Sequence, residues 1–302
     1  MARIEPLSLG ADPNSFLYRA VAEDDTPYFV KLRSAFDETS VAVPKLLADQ
    51  GIAEIIPPLE TRTGALFAGI GDAVLIVHPF VAGRSGLEVP FLEHHWLALG
   101  DAVARIHCTV LPHALDQRLR REAYSPTGRE RVKAVVRTND PALDAFVPNR
   151  RSEILQVVER AEQLAESLRA GSPELALCHS DLHAGNVLID ARGALFIVDW
   201  DDPILAPRER DLMFAGGAQG YLGHTPEQEE ALFLRGYGAV AVDPDALAYY
   251  RYERIVQDFA VYAGELLSAD TSADRRAEVL RRLEANFPPG GTIDRARSAE
   301  RG

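Results

Sequence analysis

The chain has 302 residues, 47% of them hydrophobic and 25% charged, the balance of an ordinary globular protein with room for one large domain or two modest ones. Its formal net charge of −13 argues against a nucleic-acid binder and suits a cationic partner, or a metal ion that bridges the protein to an anion. No apolar run reaches about 18 residues, so no membrane-spanning helix is expected. Two distant cysteines, Cys108 and Cys178, support neither a disulfide framework nor a cysteine zinc site. The opening MARIEPLSLGADP lacks the apolar core of a secretory signal, and a reducing, cytoplasmic setting is expected.

The first third reads as hairpins. SFLYRAVA (15–22) and YFVKLR (28–33) are apolar-rich strands joined by the turn EDDTP. ETSVAVPKLLADQG (38–51) reads as a helix closed by Gly51, with Pro44 inside it. ALFAGI (65–70) and AVLIVHPFV (73–81) form a second hairpin around Gly71-Asp72, and AGRSG (82–86) reads as a linker. The spacing of Trp96, Leu99, Val103 and Ile106 predicts a helix over 92–108. Ile154, Val157, Val158, Ala161, Leu164 and Leu168 predict another over 150–171, capped by Ser152 and ended by Gly171. Short strands follow at 175–178, 186–190 and 195–200, the last two joined by the turn Ala191-Arg192-Gly193. Helices are expected at about 226–239, 244–268 and 272–286, and the charged tail RARSAERG reads as disordered. A β-rich first part (1–81) and a helix-rich second part (82–302) make two lobes with a cleft between them, a natural place for a ligand.

The chemistry concentrates in CHSDLHAGNVLID (178–190). It contains His179-x-Asp181 followed, after four intervening residues, by Asn186, and an apolar strand then ends in Asp199-Trp200-Asp201. This is the layout of a protein-kinase catalytic loop and its metal-binding aspartate. Phosphoryl transfer needs a carboxylate to take the proton of the attacking hydroxyl, which Asp181 offers. It also needs hard oxygen ligands for Mg²⁺, which the Asn186 amide and the Asp199 carboxylate offer from the facing ends of one hairpin. His179, ahead of the aspartate, is expected to brace the loop rather than act as base, and His183 has no assigned role. Two other readings stand beside this one. The stretch can be a polar turn capping backbone groups, or His179, Asp181 and His183 can be ligands of a hydrolytic metal site.

HSDLHAGNVLID and VDWDD resemble the two central motifs of the aminoglycoside phosphotransferase and choline-kinase-like small-molecule kinases, and the resemblance runs from GADPNSFLYRAV to PRERDLMF. YFVKLR, SVAVPKLLADQGI and PPLETRTG resemble most the spectinomycin phosphotransferase branch. The resemblance implies an α+β, two-lobed protein-kinase-like fold and an ATP- and Mg²⁺-dependent enzyme. It implies that Lys31 contacts the nucleotide phosphates, with Glu38 as the one candidate for its helix partner. The segment Val77-His78-Pro79-Phe80 is the implied hinge whose backbone holds adenine, and Asp211 the implied buttress of the catalytic loop. LGADPNSF is not the protein-kinase glycine loop, although Gly10, Asn14 and Ser15 can offer donors to phosphate.

The acceptor this implies is a small molecule with a hydroxyl, cationic if it is an aminoglycoside or aminocyclitol. Asp201, Asp202, Glu209, Asp258 and Glu265 are candidates to meet its charge, Asp202 foremost. Tyr249, Tyr250, Tyr252, Phe259 and Tyr262 are candidates for a cation–π surface, against the ordinary expectation that aromatics at helical spacing are core. A kinase for choline, homoserine, a thiosugar or a macrolide would share the catalytic residues. A non-catalytic nucleotide-binding module would lack one of Asp181, Asn186 or Asp199. A monomer or a dimer is expected, with no nucleic acid and no membrane among its partners.

Overall fold

A computed structural model describes residues 3–7, 14–138, 140–144 and 146–301. The chain begins with β1 (Arg3–Pro6), β2 (Ser15–Val21), β3 (Pro27–Arg33), α1 (Thr39–Asp49), β4 (Ala68–Ile70) and β5 (Ala73–Pro79). The five strands form one antiparallel sheet in the order β1-β2-β3-β5-β4. The central β3 places Lys31 opposite Leu17 on one side and Ile76 on the other. Alternation along the strand then puts Lys31 and Arg33 on one face and Val30, which is buried, on the other. Helix α1 starts one residue later than its sequence suggests. Asp37 accepts from Thr39 N and Thr39 Oγ1, both at 2.7 Å, and so satisfies a first-turn donor that Glu38 leaves alone.

The rest is mainly helical: β6 (Gly83–Ser85), α2 (Glu93–His107), α3 (His113–Asp116), β7 (Arg120–Arg121), α4 (Thr127–Arg137), α5 (Val147–Ala170), β8 (Ala176–Cys178), β9 (Val187–Asp190), β10 (Leu195–Ile197), β11 (Ile204–Ala206), α6 (Glu209–Leu212), α7 (Pro226–Tyr237), α8 (Pro244–Leu267), α9 (Ala273–Glu284) and α10 (Thr292–Ala299). The core gathers around α8, with α4, α5 and α10 packed on it. Helices α2 and α7 cross closely at Gly100 and Gly236. A Cβ on Gly100 would lie 2.1 Å from Phe233 O, and one on Gly236 would lie 2.2 Å from Leu97 O, so only glycine lets the backbones meet.

Two sequence expectations fail here for physical reasons. AGRSG is not a free linker, because Gly83–Ser85 pairs antiparallel with β9 as the third strand beside the β9–β10 hairpin. RARSAERG is not a disordered tail, because its first residues belong to α10, whose Ile293, Ala296 and Ala299 are buried. A three-residue apolar stripe among charges is enough to dock a short helix, and its charge count hides it. The sheet and helical regions are stitched together beyond the connecting strand. Ile55 bridges Ile197, Glu54 O accepts from Ile197 N at 2.8 Å, and the Glu54 carboxylate pairs with Arg105 of α2 at 2.8 Å. No helix is long and apolar enough to cross a membrane among the described residues.

Candidate active site

The β9–β10 hairpin sets the site. Its register pairs Val187 with Ile197, and Val198 N donates to Asn186 O at 3.0 Å. Asn186 and Asp199 therefore lie at the same end of the hairpin, one just before β9 and the other just beyond β10. At the other end Asp190 Oδ1 accepts from Arg192 N and Ala194 N, both at 2.8 Å, and closes the turn. Asp199 sits at φ 66° and Ser180 at φ 75°. Non-glycine residues in the left-handed region cost of order 1 kcal/mol or more and concentrate where function needs an odd backbone.

The loop before the hairpin is held from behind. Asp211, buried on α6, accepts from Ser180 N at 2.7 Å on one oxygen and from His179 N at 2.8 Å on the other, which also meets His107 Nε2 at 3.2 Å. Burial pushes the Asp211 carboxyl up, but His107, His179 and the backbone donors outweigh it and hold the group below the usual carboxylate range. His179 uses both ring nitrogens on backbone: Nε2 donates to Val198 O at 3.0 Å, so Nδ1 is the acceptor for Asp181 N at 3.2 Å. Its ring packs edge-on against Trp200, 4.6 Å between centroids. It braces the loop, as its place in the sequence suggests, and has no nitrogen left for a metal. His183 Nδ1 accepts from Gly185 N at 2.9 Å and caps the turn Ala184–Asn186, while burial lowers its pKa. The hydrolytic metal set His179, Asp181 and His183 is thereby dismantled. The one three-membered group of potential ligand atoms within 4.8 Å of one another among the described residues is His107, Cys178 and Asp211, behind the loop.

Asp181 is half-exposed and held at both oxygens. Oδ1 accepts from Arg254 Nη1 at 2.7 Å, and Oδ2 from Asn186 Nδ2 at 3.2 Å. Asn186 Nδ2 also donates to Asp181 O at 2.8 Å, which leaves the amide oxygen as the end able to ligate an ion. Across the cleft, Lys31 Nζ lies 2.9 Å from Asp199 Oδ1 and 2.6 Å from Asp201 Oδ1, and Arg33 Nη1 lies 2.9 Å from the same Asp201 oxygen. Burial opposes the Asp199 charge, yet the Lys31 ammonium and His179 hold its carboxyl below the usual value. Burial and the Asp199 charge push Asp201 the other way, above it.

Several candidates sit elsewhere than expected. Glu38 is not the partner of Lys31: it pairs with Arg118 at 2.6 Å, and Asp199 and Asp201 take Lys31 instead. Glu209 is buried and accepts from Asp243 N at 3.0 Å, so it faces no cleft. Glu265 is clamped by Arg275 at 2.7 and 2.9 Å. Tyr249, Tyr250, Tyr252 and Phe259 are buried core residues of α8 and offer no cation–π face to a ligand. Asp202 is exposed and pairs with Arg120 at 2.9 Å. In the segment 77–80, Val77 O already accepts from Leu59 N at 2.7 Å and Phe80 N donates to Pro27 O at 3.3 Å, while His78 Nδ1 meets Ile56 O at 3.2 Å. Gly10 lies outside the described residues. Arg33, Arg254 and the His107–Asp211 contact escape sequence reading. Arg33 has a signal, since it is two residues from Lys31 on the same strand face.

The sequence model of the phosphotransferase enzyme family matches residues 4–250. The chain belongs to that family. Among solved structures, this phosphotransferase is similar to spectinomycin phosphotransferase APH(9)-Ia in complex with ADP and spectinomycin, at 35% identity over 99% of this chain and 93% of that one, with a TM-score of 0.89. The AMP-bound complex of the same enzyme gives 36% identity over 94% and 91%, and a TM-score of 0.82. Amicoumacin kinase hAmiN shares the fold at 20% identity over 98% and 91%, with a TM-score of 0.63. No curated protein sequence matches the chain significantly. Family and neighbours together make this phosphotransferase a small-molecule kinase of α+β architecture, with a sheet-rich N-terminal region and a helical C-terminal one.

Proposed function

We propose that the protein transfers the γ-phosphoryl group of ATP to a hydroxyl of a cationic aminocyclitol or aminoglycoside such as spectinomycin. One observation carries the reading. Lys31 from the sheet region pairs with Asp199 at the end of the hairpin, the neighbouring Val198 N binds Asn186 O, and Asn186 Nδ2 binds Asp181 Oδ2, which links the four candidate groups through adjacent residues. The spectinomycin phosphotransferase complexes, with ADP, AMP and spectinomycin in their sites, support nucleotide and acceptor class. In this reading residues 1–81 hold the nucleotide and 82–302 the catalytic loop and the acceptor.

Asp181 orients the acceptor hydroxyl and takes its proton as the new oxygen–phosphorus bond forms and ADP leaves. Lys31, at the junction of Asp199 and Asp201, fixes the phosphates. Asn186 and Asp199 offer one amide and one carboxylate oxygen, a hard donor set that fits Mg²⁺. That ion would supply charge neutralisation on the phosphates. Asp211 and His179 keep the loop in shape, and the segment around His78 and Phe80 flanks the adenine. Asp202, exposed and paired with Arg120 at 2.9 Å, is the acid best placed for an ammonium group, Asp258 being taken by Arg254 at 3.2 Å.

The test is ADP release from Mg-ATP with spectinomycin, several aminoglycosides, a macrolide, choline and homoserine, run beside Asp181→Ala. Release stimulated by spectinomycin and lost in the variant supports the reading. Stimulation by choline, homoserine or the macrolide alone keeps the kinase and replaces the acceptor, and absence of Mg-ATP binding sinks it.

A further inference from the structure

Arg254 projects from α8, a helix buried along Tyr249, Tyr250, Tyr252, Ile255, Val256 and Phe259, so its backbone is among the firmest in the molecule. Its Nη1 is 2.7 Å from Asp181 Oδ1, its Nε is 3.2 Å from Asp258 Oδ1 one turn on, and its Cζ lies 5.8 Å from the Phe214 ring centroid. A carboxylate on a loop has two free torsions, and a single hydrogen bond leaves it able to swivel. Asp181 is instead gripped at Oδ2 by Asn186 and at Oδ1 by Arg254. Elsewhere in the site Lys31 serves Asp199 and Asp201, Arg33 serves Asp201 and His179 serves backbone, while His183 Nε2 stands 3.6 Å from Asp181 Oδ2, beyond hydrogen-bond reach. The Arg254 guanidinium donates a hydrogen bond to Asp181 from Nη1, while Asp258 meets it as an ion pair without a hydrogen bond from Nε, so the charge of Asp258 and the planar packing over Phe214 hold it in a way an ammonium on a flexible stem does not reproduce.

We infer that Arg254 is a positioning residue for phosphoryl transfer: it fixes the Asp181 carboxylate toward the incoming hydroxyl, with Asp258 holding the guanidinium in place. This rests on reading Asp181 as the group that takes the acceptor's proton. A misplacement of about 1 Å in such a group costs up to about a hundredfold in rate. Loss of Arg254 therefore acts on kcat and leaves nucleotide affinity nearly alone, because Lys31 and Asp199 pair with each other and Asn186 keeps its bond to Asp181 O.

The experiment measures spectinomycin-stimulated ADP release in the full-length wild type, Asp181→Ala, Arg254→Ala, Arg254→Lys and Asp258→Asn, with and without methylguanidinium. Arg254→Ala should lower kcat by about 10- to 100-fold with KM for ATP within about twofold, and methylguanidinium should restore several-fold of that loss. Arg254→Lys should recover part of it, and Asp258→Asn should lose less than Arg254→Ala. Neither wild type nor Asp181→Ala should respond to methylguanidinium. Should Arg254→Ala fail to fold, Arg254→Lys and Asp258→Asn decide: wild-type kcat in both overturns the inference. It is also overturned if Arg254→Ala melts like wild type and keeps kcat within about threefold, or loses activity that methylguanidinium does not restore. If wild type is active and Asp181→Ala dead while Arg254 variants are normal, only this inference falls. If wild type is silent with spectinomycin and every other acceptor, the reading of Asp181 falls and takes this with it.

Discussion

Replacing Asp211 by Asn is nearly isosteric and isolates the job of one buried carboxylate. One oxygen can stay, and with it the 2.7 Å bond from Ser180 N. The new NH₂ then stands where an oxygen accepted from His179 N and from His107 Nε2. His107 can adapt, because Tyr237 OH, 2.8 Å from its Nδ1, can switch from donating to accepting when the ring changes tautomer. His179 N cannot adapt and is left facing a donor. An orphaned buried N–H costs roughly 1–3 kcal/mol, and a bond to a charged acceptor is worth about 1.5–3 kcal/mol to lose. Together they give an expected destabilisation of about 2.5–6 kcal/mol, read by urea unfolding with an unchanged m-value. His179 N is two residues from Asp181, so kcat should fall by about 10- to 100-fold with KM for ATP little changed. Asn at 211 with stability within about 0.5 kcal/mol of wild type and full kcat would refute the claim that Asp211 holds the loop.

Glu229 is buried with its carboxylate on Gly216 N, and burial pushes its pKa from 4.5 to about 7. Between those values the folded protein keeps a proton that the unfolded chain releases, so this group's contribution falls as pH rises and levels off above about 7. Glu229→Gln should flatten that window and raise stability at pH 8 by about 1–3 kcal/mol in urea melts; a variant no more stable at pH 8 than at pH 5, relative to wild type, contradicts this. Gly100→Ala drives a Cβ to 2.1 Å from Phe233 O, backbone against backbone, and should cost about 2 kcal/mol or more as α2 and α7 separate; an unchanged urea midpoint rules that out. Lys31→Met should raise KM for ATP at least about tenfold, and EDTA should abolish ADP release until Mg²⁺ is restored. Asp202→Asn should raise KM for a cationic acceptor a few-fold and leave kcat alone, consistent with an exposed charge; a large fall in kcat instead would place Asp202 at the reacting atoms.

The parts of the site that lie close in sequence were the legible ones. Asp181, Asn186 and Asp199 share one loop and hairpin, and β-register brings the backbones of the last two to one end of it, where Asp199 leaves the strand at a left-handed φ. The partner of Lys31 was misjudged because a glutamate in the next helix is the simplest local guess. The true partners are 168 and 170 residues away. Arg254 is also remote from Asp181, 73 residues on, and on α8 it looks like any surface arginine. The aromatics of that helix show the other limit. Periodicity marks Tyr249 and Phe259 as lying on helix faces, but not whether a face meets a cleft or a neighbouring helix. Helix α10 was hidden by its own charge, its three buried residues being too few to stand out.

The stitch between Ile55 and Ile197 lies only two residues from Asp199. Glu54 and Ile55 belong to the chain that runs from α1 to β4, so the sheet region is fastened directly to the strand that carries the candidate metal ligand. A change of length at residues 52–55 is therefore felt at Asp199 within two residues, sooner than at any part of the site reached through β6.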